Sequence, residues 1–417
     1  MRNSSRPRFD ALGWWTTAEP AARRALVAAS LGWMLDAMDV LLYSFVLNDV
    51  RLEFALGDRT SGLLIALPLA SSAVGGALFG WLADRIGRTR ALTASIAVYS
   101  IATAACGFAQ SVEQLATFRV VLGLGMGGEW ATGAALVAET WPAEHRGKAL
   151  GVMQSAWAVG YAAAAAVNAV ALPRWGWRGV FFAGLAPALL TLWIRRSVPE
   201  PELWLAGRSR PSAGSAGRRT ISGPLLRLAI VVAAMNAATM FAWWGLFTWI
   251  PSYLARPIAG GGAGLSLLRT STWIILMQGG MWLGYVSYGF LADRFGRRRT
   301  YVSYLLVAAV LVPIYGATRD PLTLLLLGPF VAFFGTGYFS GFGAVTAEIF
   351  PTAVRAMAQG VTYNVGRGLS ALAPFTVGAL AVRYGLGAAF SITSGAFVLA
   401  AILWIWIPET KGRGLQG

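Results

Sequence analysis

The sequence predicts an all-α integral membrane protein: twelve transmembrane helices in two pseudo-symmetric six-helix bundles. Three observations predict it. Of the 417 residues, 56% are apolar and only 12% charged, with a mean hydropathy of +0.59, whereas a soluble domain carries about 25% charged residues. The apolar residues arrive in roughly a dozen long blocks, each near the ~20 residues that cross a hydrocarbon core as a helix. The second half of the chain also repeats the first.

In lipid every backbone amide must be bonded internally, so blocks of this length are helices. In chain order the spans are expected at 26–48, 61–82, 91–110, 114–137, 149–172, 178–196, 225–254, 270–291, 300–318, 322–345, 357–382 and 387–407. The polar, basic N-terminal stretch does not read as a cleavable signal peptide, because the apolar block after it is too long for an h-region. Most of the 34 Lys and Arg fall on the side of the N-terminus. By the positive-inside rule this predicts a plasma (inner) membrane protein with both termini in the cytoplasm. The formal charge of +16 therefore reads as topology. No soluble basic domain remains for nucleic acid. The single cysteine, Cys106, excludes an internal disulfide, and with the single histidine, His145, it leaves no Cys/His zinc site. No metal or cofactor is expected, and the chain is expected to be monomeric.

Residues 80–90 read GWLADRIGRTR and residues 289–299 read GFLADRFGRRR, an offset of 209 residues. The same offset relates Glu139 through Arg146 to Glu348 through Arg355, and Pro199-Glu200 to Pro408-Glu409. The chain is a duplicated six-span unit. Because six is even, both copies have one orientation, which predicts an axis along the membrane normal and a site between the copies at mid-depth. The units are expected at 1–196 and 225–417, joined by a flexible Arg/Ser/Gly/Pro-rich cytoplasmic tether at 197–224.

The paired GWLADRIGRTR segments resemble the signature loop of the major facilitator superfamily, and RVVLGLGMGGEW (119–130) resembles its helix-4 motif. The closing PETKG (408–412) is similar to its sugar-porter branch. GWMLDAMDVLLYSFVL (32–47) and TYNVGRGLSALAP (362–374) resemble the proton-coupled organic-anion symporters, the sialate/lactate group especially. Arg367 departs from that group, which favours a small carboxylate over sialic acid itself. Asp84 stands at the C-terminal end of its span, where the helix dipole disfavours a carboxylate, so it needs Arg88 or a helix N-terminus. The resemblance implies a cytoplasmic gate in which Asp84 meets the segment from Pro351 to Arg355 and Asp293 the segment from Pro142 to Arg146. Arg88, Glu139, Arg297 and Glu348 belong to the same gate. The plainer alternative is that Asp84 makes a tight interfacial turn.

An ionisable residue inside a span is costly and is a functional candidate. Five qualify: Asp36, Asp39, Arg119, Glu129 and Arg367. The offset pairs them with Gly245, Thr248, Gly328, Tyr338 and Ala158, none of them ionisable. Charges that build a half repeat, and these do not. Asp36 and Asp39 share a helix face and disfavour each other's ionisation in an apolar bundle, so at least one is expected to hold a proton. Asp36 could instead make a structural hydrogen bond. Glu129, among glycines and beside Trp130, suits a dry cavity and a proton-carrying role. All three acids are expected around a central void.

Arg367 is the expected substrate anchor, since a guanidinium grips a carboxylate in a bidentate fork; an ion pair with Asp36 is the alternative. Tyr363 and Asn364 lie near its helix face. Arg119 either binds the substrate or bonds the backbone of the first span. Gln154, Tyr161 and Asn168 recur along span 5, and Asn236 and Gln278 are the comparable polar residues of spans 7 and 8. Trp130, Trp157, Trp243 and Trp244 are candidate walls. Proton-coupled symport of a small organic anion by alternating access is the expected function, with a proton-coupled sugar porter or drug/proton antiporter as the alternative. The chain lacks a GxxxxGK[ST] phosphate loop, and its lone histidine suggests no triad, so an enzyme is not expected.

Overall fold

Backbone groups that cannot reach water must be satisfied within the chain, and the described residues do so with helices throughout. The computed structural model describes residues 13–56, 58–209, 223–260 and 262–415. The first half comprises α1 (Pro20–Glu53), α2 (Asp58–Ile86), α3 (Arg88–Cys106), α4 (Val112–Thr140), α5 (Arg146–Ala183) and α6 (Ala186–Ser197). The second comprises α7 (Gly223–Ala255), α8 (Leu267–Phe295), α9 (Arg297–Ala317), α10 (Pro321–Ile349), α11 (Arg355–Tyr384) and α12 (Leu386–Leu403).

Ten segments among the described residues are long and apolar enough to cross a membrane. One of them, Arg146–Ser197, has 52 residues and crosses twice. It folds back at Gly176 (φ 63°, ψ −173°), three residues after Pro173. With the more polar α3 this makes twelve crossings, in two six-helix bundles. The helices overrun the expected spans at several ends: α1 begins at Pro20, whose fixed φ suits a first helical position. Asp320 caps α10 by accepting from Thr323 N at 2.8 Å, with Pro321 next in line. Ser111 caps α4 through Gln114 N.

The duplication is visible in the packing. α1 lies against α5 and α2 against α4, as α7 lies against α11 and α8 against α10. Between the bundles α2 meets α11 and α5 meets α8. These crossings depend on glycine. A Cβ on Gly360 would fall on the carbonyl of Gly76, and one on Gly289 would approach the carbonyl of Gly147. The symmetry breaks one turn further on: where α2 has Gly76, α8 has Tyr285.

The tether expectation needs correction at its start. Glu202–Ser209 is a helix, and Trp204, 6% exposed, donates from Nε1 to the Asp84 carbonyl at 3.1 Å. A buried indole docks what composition alone marks as flexible. Residues 210–222 of that tether lie outside the described residues, and Gly223 and Pro224 already belong to α7.

Gly87 (φ 119°, ψ 154°) and Gly296 (φ 106°, ψ 154°) make the tight α2–α3 and α8–α9 turns, 209 residues apart, in backbone conformations open almost only to glycine. A Cβ at Gly87 would also strike the Glu200 carboxyl. Gly87→Ala is expected to cost about 1–3 kcal/mol and to lower the melting temperature of the purified protein. Gly395→Ala, on helical backbone with open space around it, is expected not to.

Candidate functional site: a buried cation beside a central cavity

At one end of the molecule two mirrored charge clusters tie the bundles together. Asp84 accepts from Ala356 N (3.2 Å) and Met357 N (3.0 Å) at the start of α11. Asp293 accepts from Gly147 N (3.1 Å) and Lys148 N (3.0 Å) at the start of α5. A carboxylate at a helix N-terminus meets unpaired N–H groups and a favourable dipole. Glu139 holds Arg88 (2.8 Å) from its own half and Arg355 (2.6 Å) from the other. Glu348 likewise holds Arg297 (2.9 Å) and Arg146 (3.0 Å). Arg88 and Arg297 each pair back to the Asp four residues earlier.

The Pro-Glu repeat adds a second tier. Glu200 accepts from the N–H groups of Thr89 and Arg90, and Glu409 from those of Arg297 and Arg298. Burial works to raise the Glu409 carboxyl, but the N–H donors of Lys411, Arg297, Arg298 and Thr410 outweigh it and hold the group below the usual range. At the opposite end Glu53 sits outside the bilayer, where its hydrogen bonds to Arg178 and Trp177 keep it low as well.

Further along the helices from these clusters, towards the bundle centre, lies a partly open pocket whose empty space, counted out to its mouth, is about 400 Å³. Trp33 of α1 and Trp157 of α5 form one wall, their ring centroids 4.7 Å apart. Met240, Trp243 and Trp244 of α7, Tyr285 of α8 and Phe339 of α10 form the other. Gln154, Tyr363 and Arg367 complete the lining. Tyr363 stacks on Trp130 (3.9 Å, 17°) across the two bundles, and Trp130 Nε1 donates to Gln154 Oε1 at 3.1 Å. Arg367 is 5% exposed, is the one charged residue of the lining, and its Nη1 has no hydrogen-bond partner.

Asp36, Asp39 and Glu129 do not line this cavity, contrary to the expectation of a shared void. They are buried outside its lining: Asp36 and Glu129 are 0% exposed, and all four of their carboxyl oxygens lack a protein donor among the described residues. Asp39 Oδ2 accepts from Thr103 Oγ1 at 2.9 Å, while Oδ1 has no partner. Glu129 lies against Gly32, where a Cβ would collide with its carboxyl. They reach the lining electrically: Asp36 interacts with Arg367 and with Glu129, and Tyr363 with all three.

Several expected ligands are placed elsewhere. Arg119 is buried with Nε on the Leu64 carbonyl (2.6 Å) and its guanidinium 3.8 Å over the Tyr43 ring. A carbonyl of α2 and an aromatic face satisfy this cation locally, so it neither reaches the cavity nor bonds the first span's backbone. Asn364 bridges bundles by donating to the Gly127 and Gly360 carbonyls, and Asn236 donates to the Thr362 carbonyl within its own half. Tyr161 is 39% exposed and turns its edge to Phe45. Neither Asn168 nor the half-buried Gln278 is in the lining, and Trp130 stands behind it. Conversely, Trp33, Tyr285, Met240 and Phe339 line the cavity without having been singled out. Trp33 had a signal, lying three residues before Asp36 on the same helix face. Tyr285 had one as well, as a large residue where the repeat has Gly76. Met240 and Phe339 had none.

Residues 29–287 and 261–416 match the sequence family described as the Major Facilitator Superfamily. The chain belongs to that superfamily. It is an integral membrane transporter and not an enzyme. Among solved structures, the proton:xylose symporter XylE superimposes with a TM-score of 0.80 over 95% of this transporter and 98% of XylE. At 22% identity that likeness concerns the fold. The cis,cis-muconate transport protein of Acinetobacter baylyi is 32% identical, over 91% of this chain and 92% of that protein. The sialic acid transporter NanX of Escherichia coli is 29% identical, over 95% and 96%.

The charge clusters are buried, so each depends on its partners. Glu348→Ala leaves Arg146 and Arg297 without their shared acid and is expected to cost about 3–5 kcal/mol. Glu53→Ala, at a half-exposed pair, is expected to cost about 1 kcal/mol or less. Melting temperatures of the two variants in one detergent check the contrast.

Proposed function

We propose that the transporter is a proton-coupled symporter of a small organic anion, a monocarboxylate or related carboxylate metabolite, working by alternating access. The observation that carries this reading is the Arg367 guanidinium in the cavity lining, with Nη1 unpartnered and Asp36 within its electrostatic reach. Three acids and two arginines lie well inside the spans, away from their ends, and Arg119 is satisfied by Leu64 and Tyr43. Arg367 is therefore left to be shared between Asp36 and a bound carboxylate. An ionised Asp36 competes for the guanidinium; a protonated Asp36 releases it. A buried carboxylate without a donor is costly, and a bound proton on Asp36 or Glu129 removes that cost.

Proton and anion thus enter together, because each removes the penalty of the other. Loss of the proton on the far side returns Arg367 to Asp36 and expels the anion. Asp36, Asp39 and Glu129 carry the proton in this scheme, and Arg367, Tyr363 and Gln154 meet the substrate.

The positive-inside distribution supports a cytoplasmic position for both termini and for the Asp84 and Asp293 clusters, in the plasma (inner) membrane. Those clusters then act as the cytoplasmic gate, with Arg88, Glu139, Arg146, Arg297, Glu348 and Arg355 as its pairs. The arrangement is a gate held shut with the cavity on its outer side. The names of the two relatives, which concern muconate and sialic acid, favour a carboxylate over a neutral sugar or a cationic drug.

In proteoliposomes with an inward proton gradient, Arg367→Ala is expected to abolish anion uptake. Arg367→Lys is expected to retain less than about a tenth of it, because a lysine cannot reproduce the bidentate fork. Glu129→Gln is expected to lose gradient-driven accumulation while keeping anion exchange. Wild-type uptake by Arg367→Ala contradicts the substrate assignment, and wild-type accumulation by Glu129→Gln contradicts the proton assignment.

A further inference from the structure

The charge clusters repeat by 209 residues, but the α5–α8 seam that one of them closes carries a further contact that does not. Ahead of α1 the chain makes a single helical turn, Gly13–Thr16, tied to itself by Thr17 Oγ1 on the Gly13 carbonyl at 2.6 Å. Its two indoles sit on Trp141, just past the end of α4. The ring centroid of Trp14 lies 5.1 Å from that of Trp141, and Trp15 stacks on it at 6.3 Å and 22°. Trp141 is itself fixed, because Nε1 donates to the Ala22 carbonyl of α1 at 3.0 Å. The turn therefore belongs to the first bundle. Trp14 also meets Phe290 of α8, in the second bundle, edge to face at 6.2 Å and 87°.

The offset places Gly223 and Pro224 where the turn has Trp14 and Trp15, and neither is aromatic. The twin receptors are present: Phe350 corresponds to Trp141 and Trp81 to Phe290. Trp81 is exposed, with the Arg85 guanidinium 4.3 Å over its ring. So the aromatic rim is duplicated and the indole that covers it is not. Phe290 follows Gly289, where α8 packs closely on α5, and Lys148 approaches the same ring with Nζ at 5.7 Å. The contact thus stands beside the Asp293 cluster, on the seam itself. Its chemistry suits a contact that is made and broken. Trp14 is buried, yet its Nε1 has no hydrogen-bond partner among the described residues. Leaving the seat exposes apolar ring but returns that donor to water. The two effects oppose each other, so the grip is modest.

We propose that Gly13–Thr16 is an aromatic clasp. It rides on the first bundle, grips Phe290 while the charge clusters are closed, and releases it each time the α5–α8 seam opens. Trp14 is the gripping residue. The clasp adds to the Asp293 cluster and stands outside the lining of the central cavity, so it sets how readily that end opens and not what is bound. It rests on the alternating-access reading, since a seam that never parts needs no release.

Spin labels on Glu144→Cys and Arg299→Cys test it, since both positions are exposed at the clustered end and lie on opposite bundles. The chain's own Cys106 is buried. Electron–electron double resonance on the full-length transporter in lipid nanodiscs then reads the ratio of long (open) to short (closed) distances. Trp14→Ala is expected to raise that ratio about two- to tenfold, and Phe290→Leu to do the same. Trp14→Phe, which keeps a ring, is expected to retain most of the closed population. The double variant is expected to match the single ones, because both remove one contact; a Trp14 that merely stabilises its own bundle would not depend on Phe290. Asp293→Asn, which weakens the cluster itself, is the reference for an open seam. An unchanged ratio in Trp14→Ala beside a raised one in Asp293→Asn overturns the clasp and leaves alternating access standing. So does a double variant whose effect is the product of the two singles. One short distance in every variant, Asp293→Asn included, overturns alternating access together with the clasp.

Discussion

A guanidinium closed off among indoles inside a membrane protein cannot share its charge with water. It needs a negative partner, and every arrangement around it is decided by which one it has. In the proposed scheme Arg367 has two partners: Asp36, buried outside the cavity lining, and the carboxylate that enters the cavity. The switch of that scheme lies on the carboxyl side. Asp36 and Glu129 have no hydrogen-bond donor on any of their oxygens among the described residues. A buried carboxylate without a donor is costly unless it binds a proton or a cation turns towards it. In the proposed symport, coupling between proton and anion would need no long-range pathway, since one side chain would be the common partner of both.

The rest of the protein divides between what the duplication repeats and what it does not. Repeated residues build the scaffold and its closing contacts: the glycine turns at Gly87 and Gly296, the carboxylates on the α5 and α11 N-termini, and the arginines shared by Glu139 and Glu348. Each closing contact joins a side chain of one half to backbone or charge of the other, so the two halves are latched by a pair of equivalent bonds. Residues that break the repeat cluster at the centre. Arg367 stands where the first half has Ala158, Glu129 where the second has Tyr338, and Tyr285 where the first has Gly76. A rocking motion can use a symmetric latch, but binding one ligand requires an asymmetric pocket.

This division also explains what was legible in the sequence. Twelve crossings, the duplication and the latch residues could be read directly, because hydropathy blocks and short motifs are local signals. Arg367 stood out as an unrepeated charge in an apolar span. The return at Gly176 was placed closely by the break between apolar blocks. Other features depended on which neighbour a helix face meets, and no local pattern encodes that. Arg119 looked like a ligand and is satisfied by Leu64 and Tyr43. Asn364 shares a helix face with Arg367, yet its Nδ2 donates across to the Gly127 carbonyl where Gly76 and Gly360 let the bundles touch. The three acids were recognised as unusual, but their burial outside a lining that Trp33 and Tyr363 share depends on tertiary packing. Trp204 turned the start of a flexible-looking tether into a docked helix.

The competition for Arg367 is tested most directly by how carboxylate affinity varies with pH in the wild type and in Asp36→Asn. Protonation of Asp36 frees the guanidinium, so wild-type affinity should rise as pH falls, approaching about tenfold per pH unit for one linked proton. Asparagine cannot ionise, so the variant should bind tightly at every pH with little slope. A wild-type affinity independent of pH, or a variant that keeps the full wild-type slope, would contradict the account.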